Sequence, residues 1–419
     1  MNIPLAITDH CEKYCERLAS LGGNTSEIYR ECYLSTIKTA VTPMEDGTYF
    51  VLTGDIPAMW LRDSSAQVEN YAALCADTEV ASLIKGVLRR QFMYIGEDPY
   101  ANAFNKCGDG SGHTKDLPPK KHIVWERKYE IDSLCWPVRL LGQYTDASGD
   151  ADFAKNILKK AAPIIINVFR TEQRHMEKSP YRFVRPSAYG RELHHNGFGA
   201  PVAYTGMTWS GFRPSDDPCE LGYAVPSNMF AAVALGEIAR LCGDEGIKSQ
   251  ALSLRDEITR GIFDYGIVEH EKYGKIFASE VDGLGNYRLF DDANIPSLLS
   301  IPYLGFLPAN DELYRNTRAF VLSRDNPYFF EGKTGSGIGS PHTPSGYIWH
   351  LALSMQGLTS DDEDEMRSLL DMLCATDAGT LHMHEGFLAD DPSVYSRPWF
   401  TWSDSTFARF CEKYADIFL

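Results

Sequence analysis

Two acidic segments in loops rich in aromatic residues and glycine are the first candidates for chemistry. Asp216 and Asp217 end the string TWSGFRPSDD (208–217), and Glu385 lies in MHEGF (383–387). In such a loop, desolvation and the neighbouring carboxylate both disfavour ionisation, so the doublet predicts a raised pKa. Hydrolysis of a glycosidic bond needs one carboxyl group that stays protonated near neutrality and a second that stays ionised. The two loops offer a candidate for each role, although a helix cap or a solvated charge is the commoner use of a lone loop carboxylate.

A second candidate is an adjacent cation and anion, Arg62-Asp63, which follow Trp60 at the predicted start of a helix. An arginine fork can bind sugar hydroxyls together with a neighbouring carboxylate. The alternative is structural, with Asp63 or Ser64 capping the helix and Arg62 paired inside the protein. The residues alone leave both interpretations open.

The types and spacing of the residues argue against a metal site and against a nucleotide site. His194-His195 are adjacent, and the pair in HMHE (382–385) lacks a third ligand at metal-binding spacing. EGKT (331–334) resembles the end of a phosphate-binding loop, but the glycine required earlier is replaced by Pro327. We therefore predict no metal and no other cofactor.

Composition narrows the class of protein. The 419 residues contain 40 Lys+Arg and 57 Asp+Glu, for a formal charge of −17, which argues against a nucleic-acid partner. The chain contains no stretch of about 20 apolar residues, so no membrane span is predicted. The start of the chain has no signal-peptide pattern, and the ten cysteines are irregularly spaced without a CxxC, which favours free thiols. We predict a cytoplasmic protein without a membrane partner.

The elements that must position the candidate residues are mainly helical. Apolar residues at helical spacing run from Val80 to Leu88 after a candidate N-cap, Thr78. Gly243 is expected to end a helix that begins near Pro226, and Ser360 is expected to cap a helix whose first turn is acidic. Further helices are predicted near 8–20, 25–41, 63–76, 131–145, 153–168, 247–263, 311–323, 345–356 and 403–418.

Strand signals are few, the best being Tyr49–Thr53 and Lys275–Val281, and they do not alternate with helices as in a Rossmann or TIM fold. The prediction is a single all-α domain over residues 1–419, in which about twelve helices pair into a barrel with a few short strands. Long loops at one rim should carry the functional residues. These loops are 44–65, 97–130, 178–225, 325–345 and 378–402.

Several longer sequence strings carry a resemblance to a known protein family, which helical periodicity alone does not show. From about residue 25 to the C-terminus, the chain resembles glycoside hydrolase family 125. The resemblance implies an (α/α)₆ barrel and a metal-independent, inverting exo-α-1,6-mannosidase acting on the non-reducing terminal mannose of oligosaccharides or N-glycan fragments. The strings are GDIPAMWLRDS (54–64), DPYANAFNK (98–106), WERKYEIDSLC (125–135), YTGMTWSGFRPSDD (204–217), DDANIPSLLSIPYL (291–304), GIGSPHTP (337–344), YIWHLALSMQGLT (347–359), DAGTLHMHEGF (377–387) and WFTWSDS (399–405).

The resemblance also implies roles for individual residues. It matches the general acid to Asp216 and the general base to Glu385, with Asp217 remaining a rival for the acid. An inverting mechanism requires about 6.5–9.5 Å between the two carboxyl groups, which leaves room for the attacking water. The residues expected to contact the terminal sugar are Trp60, Arg62, Asp63, Asn105, Glu130, Asp132, Arg213, His342, Trp349 and Trp402.

Two other classes of protein remain as alternatives. A non-catalytic glycan-binding protein would use the aromatic residues and Arg62 without needing both carboxylates. An (α/α)-barrel epimerase or lyase would use His342 or His384 as its acid or base and would release no mannose by hydrolysis.

Overall fold

The fold was analysed in a computed structural model, which describes residues 2–186 and 193–419. The chain is mainly helical, which confirms the sequence prediction. A 3₁₀ turn at Ala19–Leu21 follows the first helix, and a π turn at Thr36–Ala40 follows the second. The helices are α1 (Leu5–Leu18), α2 (Thr25–Ser35), α3 (Leu61–Ala72), α4 (Thr78–Glu97), α5 (Ile131–Ser148), α6 (Ala151–Glu172), α7 (His175–Lys178), α8 (His194–Gly197), α9 (Val225–Leu241), α10 (Glu245–Tyr265), α11 (Ile301–Leu304), α12 (Glu312–Val321), α13 (His350–Leu358), α14 (Glu363–Ala375) and α15 (Thr401–Phe418).

The strands are short and form six small antiparallel sheets among the described residues, ordered β1-β2, β3-β4-β5, β6-β9-β10, β7-β8, β11-β12 and β13-β14-β15. None of these sheets closes into a barrel. The strands are β1 (Val41–Pro43), β2 (Tyr49–Val51), β3 (Met59–Trp60), β4 (Ala103–Phe104), β5 (Val124–Glu126), β6 (Tyr223–Ala224), β7 (Ile267–His270), β8 (Gly274–Phe277), β9 (Glu280–Val281), β10 (Tyr287–Arg288), β11 (Phe329–Glu331), β12 (Ser336–Ile338), β13 (Tyr347–Ile348), β14 (Gly386–Leu388) and β15 (Asp391–Ser396).

Two helix caps differ from the sequence prediction by one or two residues. Asp77, not Thr78, caps α4, because its carboxylate accepts from two backbone amides in the first turn, while Thr78 is already helical. Asp362, not Ser360, caps α14 by accepting from the amide of Glu365. In both cases the carboxylate takes the cap position in preference to a nearby hydroxyl.

Of the two predicted strands, one is found as a single strand and the other is divided between two sheets. The predicted strand at Tyr49–Thr53 becomes β2, paired with β1. The predicted strand at Lys275–Val281 is divided: β8 pairs with β7, while β9 pairs with β6 and β10. Three helices of four residues, α7, α8 and α11, were not predicted, because one turn carries no periodicity.

The longer helices lie in two layers. Helix α3 contacts α5 and α15, α5 also contacts α9, and α13 also contacts α15. Every residue of α3 is buried, as expected for a helix surrounded by other elements. Helices α4, α6 and α14 each contact two members of this inner set. The arrangement is a layered α/α architecture.

Inside the inner layer, several helices meet at one buried carboxylate, Glu69 of α3. It accepts from Arg139 Nε at 2.8 Å and from Gln143, both of α5, and from the hydroxyl of Tyr303 on α11. Arg409 of α15 lies with its guanidinium 5.7 Å from the ring centre of Tyr303. Burial opposes the charge, but Arg409, Arg139 and these hydrogen bonds outweigh it and lower the pKa of Glu69 to about 2.

At the other end, the N-termini of inner helices point towards the long loops. Arg62 and Asp63 begin α3, Trp349 precedes α13, and Trp402 is the second residue of α15. Four of the five predicted rim loops contribute residues to one cavity at this end; residues 187–192 of the loop 178–225 lie outside the described residues. Across the described helices, none has the length and apolar character needed to span a membrane.

Candidate active site

A narrow cavity at the N-terminal ends of α3, α13 and α15 brings both predicted catalytic carboxylates together. Asp216 reaches it from the loop before β6, and Glu385 reaches it from the residue before β14. Its walls also contain three tryptophans and two arginines from widely separated parts of the sequence. The lining residues are Thr53, Ile56, Trp60, Arg62, Asp63, Pro214, Ser215, Asp216, Asn294, His342, Trp349, Glu385, Arg397, Phe400 and Trp402.

Arg62 is the centre of the charge cluster on one side of this cavity. Its Nη1 lies 2.7 Å from Glu130 Oε2 and 3.2 Å from Asp132 Oδ2. Its Nε is 3.4 Å from Asp63 Oδ2, and its Nη2 is 3.8 Å from Asp216 Oδ1. Four carboxyl groups thus face one guanidinium, so the buried cluster is stable only if it retains protons.

The protons are retained by the most buried members. Burial raises the pKa of Glu130 well above its ordinary value and raises that of Asp132 to about 6, with Arg62 opposing both shifts. Burial also raises the pKa of Asp63. The cluster therefore combines ionised and protonated carboxyl groups at neutral pH.

Asp216 is held in an unusual backbone conformation, with φ at +64°, which an aspartate tolerates better than most residues. Asn102 Nδ2 donates to its Oδ1 at 3.0 Å, and Lys128 Nζ donates to its backbone oxygen at 2.7 Å. Its side chain is 22% exposed, whereas those of Glu130 and Asp132 are not exposed at all. Asp216 is therefore the most exposed carboxyl group of the cluster.

The predicted raised pKa of Asp216 is wrong for the substrate-free protein. Burial does disfavour its charge, but Lys128, a hydrogen bond from Glu130, and Arg62 outweigh burial and hold the pKa of Asp216 below its ordinary value. Burial acts in the opposite sense on Glu130, the partner in that hydrogen bond, and raises its pKa. Sequence reasoning considered only Asp217 as a neighbour, and Asp217 faces elsewhere.

Asp217 points away from the Arg62 cluster. Its Oδ2 lies 3.6 Å from His342 Nδ1 and 4.0 Å from Arg213 Nη2, and its backbone oxygen accepts from the Arg213 amide at 2.8 Å. Although burial opposes the charge on His342, the hydrogen bond and negative charge of Asp217 raise the pKa of this imidazole. Of the doublet, only Asp216 lines the cavity among the described residues.

Glu385 has a simpler environment. Ser396 Oγ of β15 donates to its Oε2 at 2.9 Å, and Arg397 Nη1 lies 3.7 Å from its Oε1. The preceding residue, His384, donates its backbone amide to His350 Nδ1 at 2.9 Å, which fixes the chain at this point. Burial lowers the pKa of His350 to about 3, so this imidazole is a neutral acceptor.

The remaining predicted residues divide into those that line the cavity and those that support it. Trp60, Trp349, Trp402 and His342 line it. Asn105 does not: its amide donates to the backbone oxygens of Ser111, His122 and Val124 and holds a loop. The described surroundings of Glu130, Asp132 and Arg213 are likewise protein groups, with Arg213 3.5 Å from both Glu280 and Asp292.

Four residues in direct contact with Asp216 or Glu385 were missed: Asn102, Lys128, Ser396 and Arg397. Asn102 and Lys128 lie in strings already selected for the family resemblance, so closer attention to every polar residue of those strings would have found them. Ser396 and Arg397 lie between two such strings and gave no signal of their own.

The histidines considered as metal ligands make hydrogen bonds. His382 Nδ1 lies 3.0 Å from Asp404 Oδ2, and Cys32 Sγ donates to Asp404 Oδ1 at 3.2 Å. Within the described ranges, this trio is the group whose possible ligand atoms all lie within 4.8 Å of one another. It does not line the cavity that contains the two carboxylates.

A larger groove of about 850 Å³ lies between α4 and α6. It is lined by apolar side chains and by both signs of charge, including Phe92, Ile157, Lys85 and Asp150. None of the residues predicted for catalysis or sugar binding lies there, so the smaller cavity is the better candidate despite its size.

Comparisons with known proteins show what the chain is similar to. The sequence model of a family described as metal-independent alpha-mannosidase (GH125) matches residues 23–411. A solved structure from Streptococcus pneumoniae, a metal-independent alpha-mannosidase in a non-productive complex with alpha-1,6-mannobiose, is 43% identical, with a TM-score of 0.96 and 99% of each chain covered. The meiotically up-regulated gene 157 protein of Schizosaccharomyces pombe is 37% identical over 410 residues, covering 91% of this chain and 81% of the relative. A bacterial glucoamylase bound to acarbose is 12% identical with a TM-score of 0.59, over 97% of this chain and 58% of its own, and shares the fold alone.

Proposed function

Because this chain belongs to glycoside hydrolase family 125, the metal-independent α-mannosidases, we propose that it is an inverting exo-α-1,6-mannosidase. Its substrate is the non-reducing terminal mannose of α-1,6-linked oligosaccharides, including fragments of N-glycans. The carrying observation is that Asp216 and Glu385, on separate loops, line one cavity. The α-1,6-mannobiose bound by the 43% identical relative supports this linkage.

In the proposed reaction, Asp216 protonates the glycosidic oxygen, while Glu385 deprotonates a water on the opposite face of the sugar. The water attacks the anomeric carbon through an oxocarbenium-like transition state. Ser396 and Arg397 hold Glu385 in position, and the expected separation of about 6.5–9.5 Å between the two carboxyl groups remains a prediction.

The terminal mannose is proposed to contact the groups that line the cavity. Arg62, Asp63 and His342 bind its hydroxyls, and the rings of Trp60, Trp349 and Trp402 pack against it and exclude water. We assign the other four predicted residues to support rather than to sugar contact, since their polar atoms face protein groups. They are Asn105, Glu130, Asp132 and Arg213.

The decisive experiment is anomer-resolved NMR of the sugar released from α-1,6-mannobiose. We expect β-mannose as the first product, and Glu385→Gln as the matched control should release none on the same timescale. A first product in the α configuration would exclude inversion. Binding without release would indicate a glycan-binding protein, and a product other than free mannose would indicate an epimerase or lyase.

The complete architecture is proposed to be an (α/α)₆ barrel formed by one domain over residues 1–419. The inner ring would contain α3, α5, α9, α11, α13 and α15, consistent with the contacts among these helices and with the convergence of α3, α5, α11 and α15 on Glu69. The first described helix supports a single unit, since Arg17 Nη1 lies 2.7 Å from Asp416 Oδ1 of α15. A crystal structure tests the ring, and two separate unfolding transitions would contradict a single domain.

A cytoplasmic location without nucleic-acid partners is part of the proposal. The ten cysteines, all among the described residues, are unpaired, as suits a reducing compartment. The formal charge of −17 disfavours binding to nucleic acid. Subcellular fractionation tests the first statement, and a gel-shift experiment at low salt tests the second.

A further inference from the structure

Glu130 lies behind the proposed acid, with one oxygen satisfied and the other not. Its Oε2 accepts from Arg62 Nη1 at 2.7 Å and from Ser133 Oγ at 3.1 Å. Its Oε1 is buried, and none of the described donors reaches it. If Glu130 were an ionised carboxylate, this buried oxygen would lack a hydrogen bond, which costs free energy. A protonated carboxyl group instead uses the same oxygen as a hydrogen-bond donor. The acceptor available to it is Asp216, with which Glu130 shares a side-chain hydrogen bond.

We infer that Glu130 is the proton-holding partner of the acid: the resting pair contains one proton on Glu130, which passes to Asp216 as Asp216 protonates the leaving oxygen. This inference rests on the proposed role of Asp216. Glu130 is a positioning residue, because its side chain is buried and acts on the substrate only through Asp216.

The transfer balances without any further reagent. The O–H bond of Glu130 breaks, a new O–H bond forms on the glycosidic oxygen through Asp216, and the bond to the anomeric carbon breaks with its electron pair on that oxygen. The pair then carries two negative charges, the original one on Asp216 and a new one on Glu130, and Arg62 lies 2.7 Å from the Glu130 carboxylate and 3.8 Å from that of Asp216. After product release the pair regains a proton from water, while Glu385 loses the proton that it took from the nucleophile.

Every charged group facing the pair fits this division. Arg62 and Lys128 stabilise Asp216 as the anion in the resting state. Asp132 and Asp63 compete with the pair for Arg62, and they disfavour ionisation of both its members at once. His342 adds a more distant positive influence on Asp216. Two carboxyl groups in such a cluster titrate as a unit, and the proton that they share leaves when the departing glycosidic oxygen takes it up.

The test compares Glu130→Gln with Asp132→Asn on two substrates. Asp132 contacts the same arginine, is equally buried and also has one oxygen, Oδ1, that none of the described donors reaches, but the carboxyl hydrogen bond to Asp216 is that of Glu130. We expect Glu130→Gln to hydrolyse α-1,6-mannobiose at least ~10²-fold more slowly, and an activated aryl α-mannoside by less than about tenfold, with the basic limb of the pH–rate profile moved to lower pH. Asp132→Asn should slow both substrates alike, as a structural role would. Equal losses on both substrates for Glu130→Gln, or an unmoved basic limb, would overturn the inference.

A measurement on the unaltered enzyme avoids dependence on a folded variant. With ¹³C-labelled glutamate, infrared spectroscopy of the wild-type protein at neutral pH should show a protonated glutamate carboxyl band, which Glu130→Gln removes. Absence of that band in the wild-type protein overturns the inference whether or not the variant folds.

Asp216→Asn separates the inference from the function on which it rests. If Asp216→Asn shows the strong leaving-group dependence and Glu130→Gln does not, Asp216 is the acid and Glu130 is not its proton source. If Asp216→Asn lacks that dependence, the proposed acid and this inference fail together.

Discussion

The two sides of the cavity hold their carboxylates in different ways. Asp216 belongs to a cluster in which Arg62 and four carboxyl groups share charge and protons. Glu385 instead has one hydroxyl donor, Ser396, and a more distant cation, Arg397. In the proposed mechanism, the Asp216 side supplies a shared proton, whereas the Glu385 side positions a single base. Substitutions on the two sides should therefore have different kinetic consequences.

The largest effect should come from breaking the base side. Glu385→Gln should reduce kcat by at least ~10³-fold on every substrate, because a general base contributes ~10²–10⁴ and the attacking water also loses its orientation. Binding of α-1,6-mannobiose should persist, since the amide is nearly isosteric, and calorimetry measures it. A variant that kept a tenth of the activity would remove Glu385 from this role.

Breaking the acid side should give a loss that depends on the leaving group. Asp216→Asn should reduce hydrolysis of α-1,6-mannobiose by ~10²-fold or more, while an activated aryl mannoside, whose phenolate departs without a proton, should lose far less. Asp217→Asn is the matched control and should weaken both substrates alike, because Asp217 contacts His342 and Arg213 rather than the cavity. If Asp217→Asn shows the leaving-group dependence, the acid is one residue further along.

The base side can be tested more finely at its hydroxyl donor. Ser396→Ala removes a hydrogen bond to a charged group, which contributes about 1.5–3 kcal/mol, so kcat should fall about tenfold or somewhat more. Ser393→Ala, on the same strand but bonded to Asp391, should retain full activity. Similar losses in both variants would mean that β15 is generally sensitive to substitution.

Glu69 and its arginine partners lie outside the cavity, so a substitution there tests whether a buried carboxylate–arginine interaction affects stability alone. Its folded pKa of about 2 lies below the ordinary value of 4.5, so Glu69 stabilises the fold above pH 4.5 and loses this contribution as the pH falls towards 2. That shift corresponds to about 3 kcal/mol. We expect Glu69→Gln to lower the free energy of unfolding at pH 7 and to approach the wild-type protein in acid, as measured by urea denaturation. Glu97→Gln, at an exposed pair with Lys121, should show neither effect.

The smallest expected effect is none at all. Dialysis against EDTA should leave activity unchanged, since the family is metal-independent and the proposed mechanism uses two carboxylates. Loss of activity that Zn²⁺ or Ca²⁺ restored would contradict this, and Cys32→Ser would then show whether the Cys32, His382 and Asp404 trio holds the ion.

The sequence predicted the helices well because their apolar periodicity is local. The run from Val80 to Leu88 gave α4, whose true cap, Asp77, lies one residue before the predicted one. The family resemblance inferred from the motif strings is confirmed by the family match over residues 23–411. The pairing of strands was harder to predict. The sequence of β8 and β9 looks like one continuous strand, but the two strands join different sheets, and only tertiary contacts decide this.

Within the site, the residue types were easier to predict than their protonation. Asp216 and Glu385 were selected from their loops, and both line the cavity. The sign of the pKa shift at Asp216 was missed because it depends on Lys128 and Glu130, more than 80 residues earlier in the chain. Adjacency in sequence suggested Asp217 as the electrostatic neighbour, but the backbone turns the two side chains apart.

The positive φ of Asp216 also restricts how this protein can evolve. Asparagine and glycine are the residues that adopt this conformation most readily, while a β-branched residue there strains the loop. Both are reached from an aspartate codon by a single nucleotide change, and both lack a transferable proton. In the proposed mechanism, one base substitution at this codon would remove the proton donor while keeping a residue that suits the loop conformation, a route from a hydrolase to a lectin-like descendant.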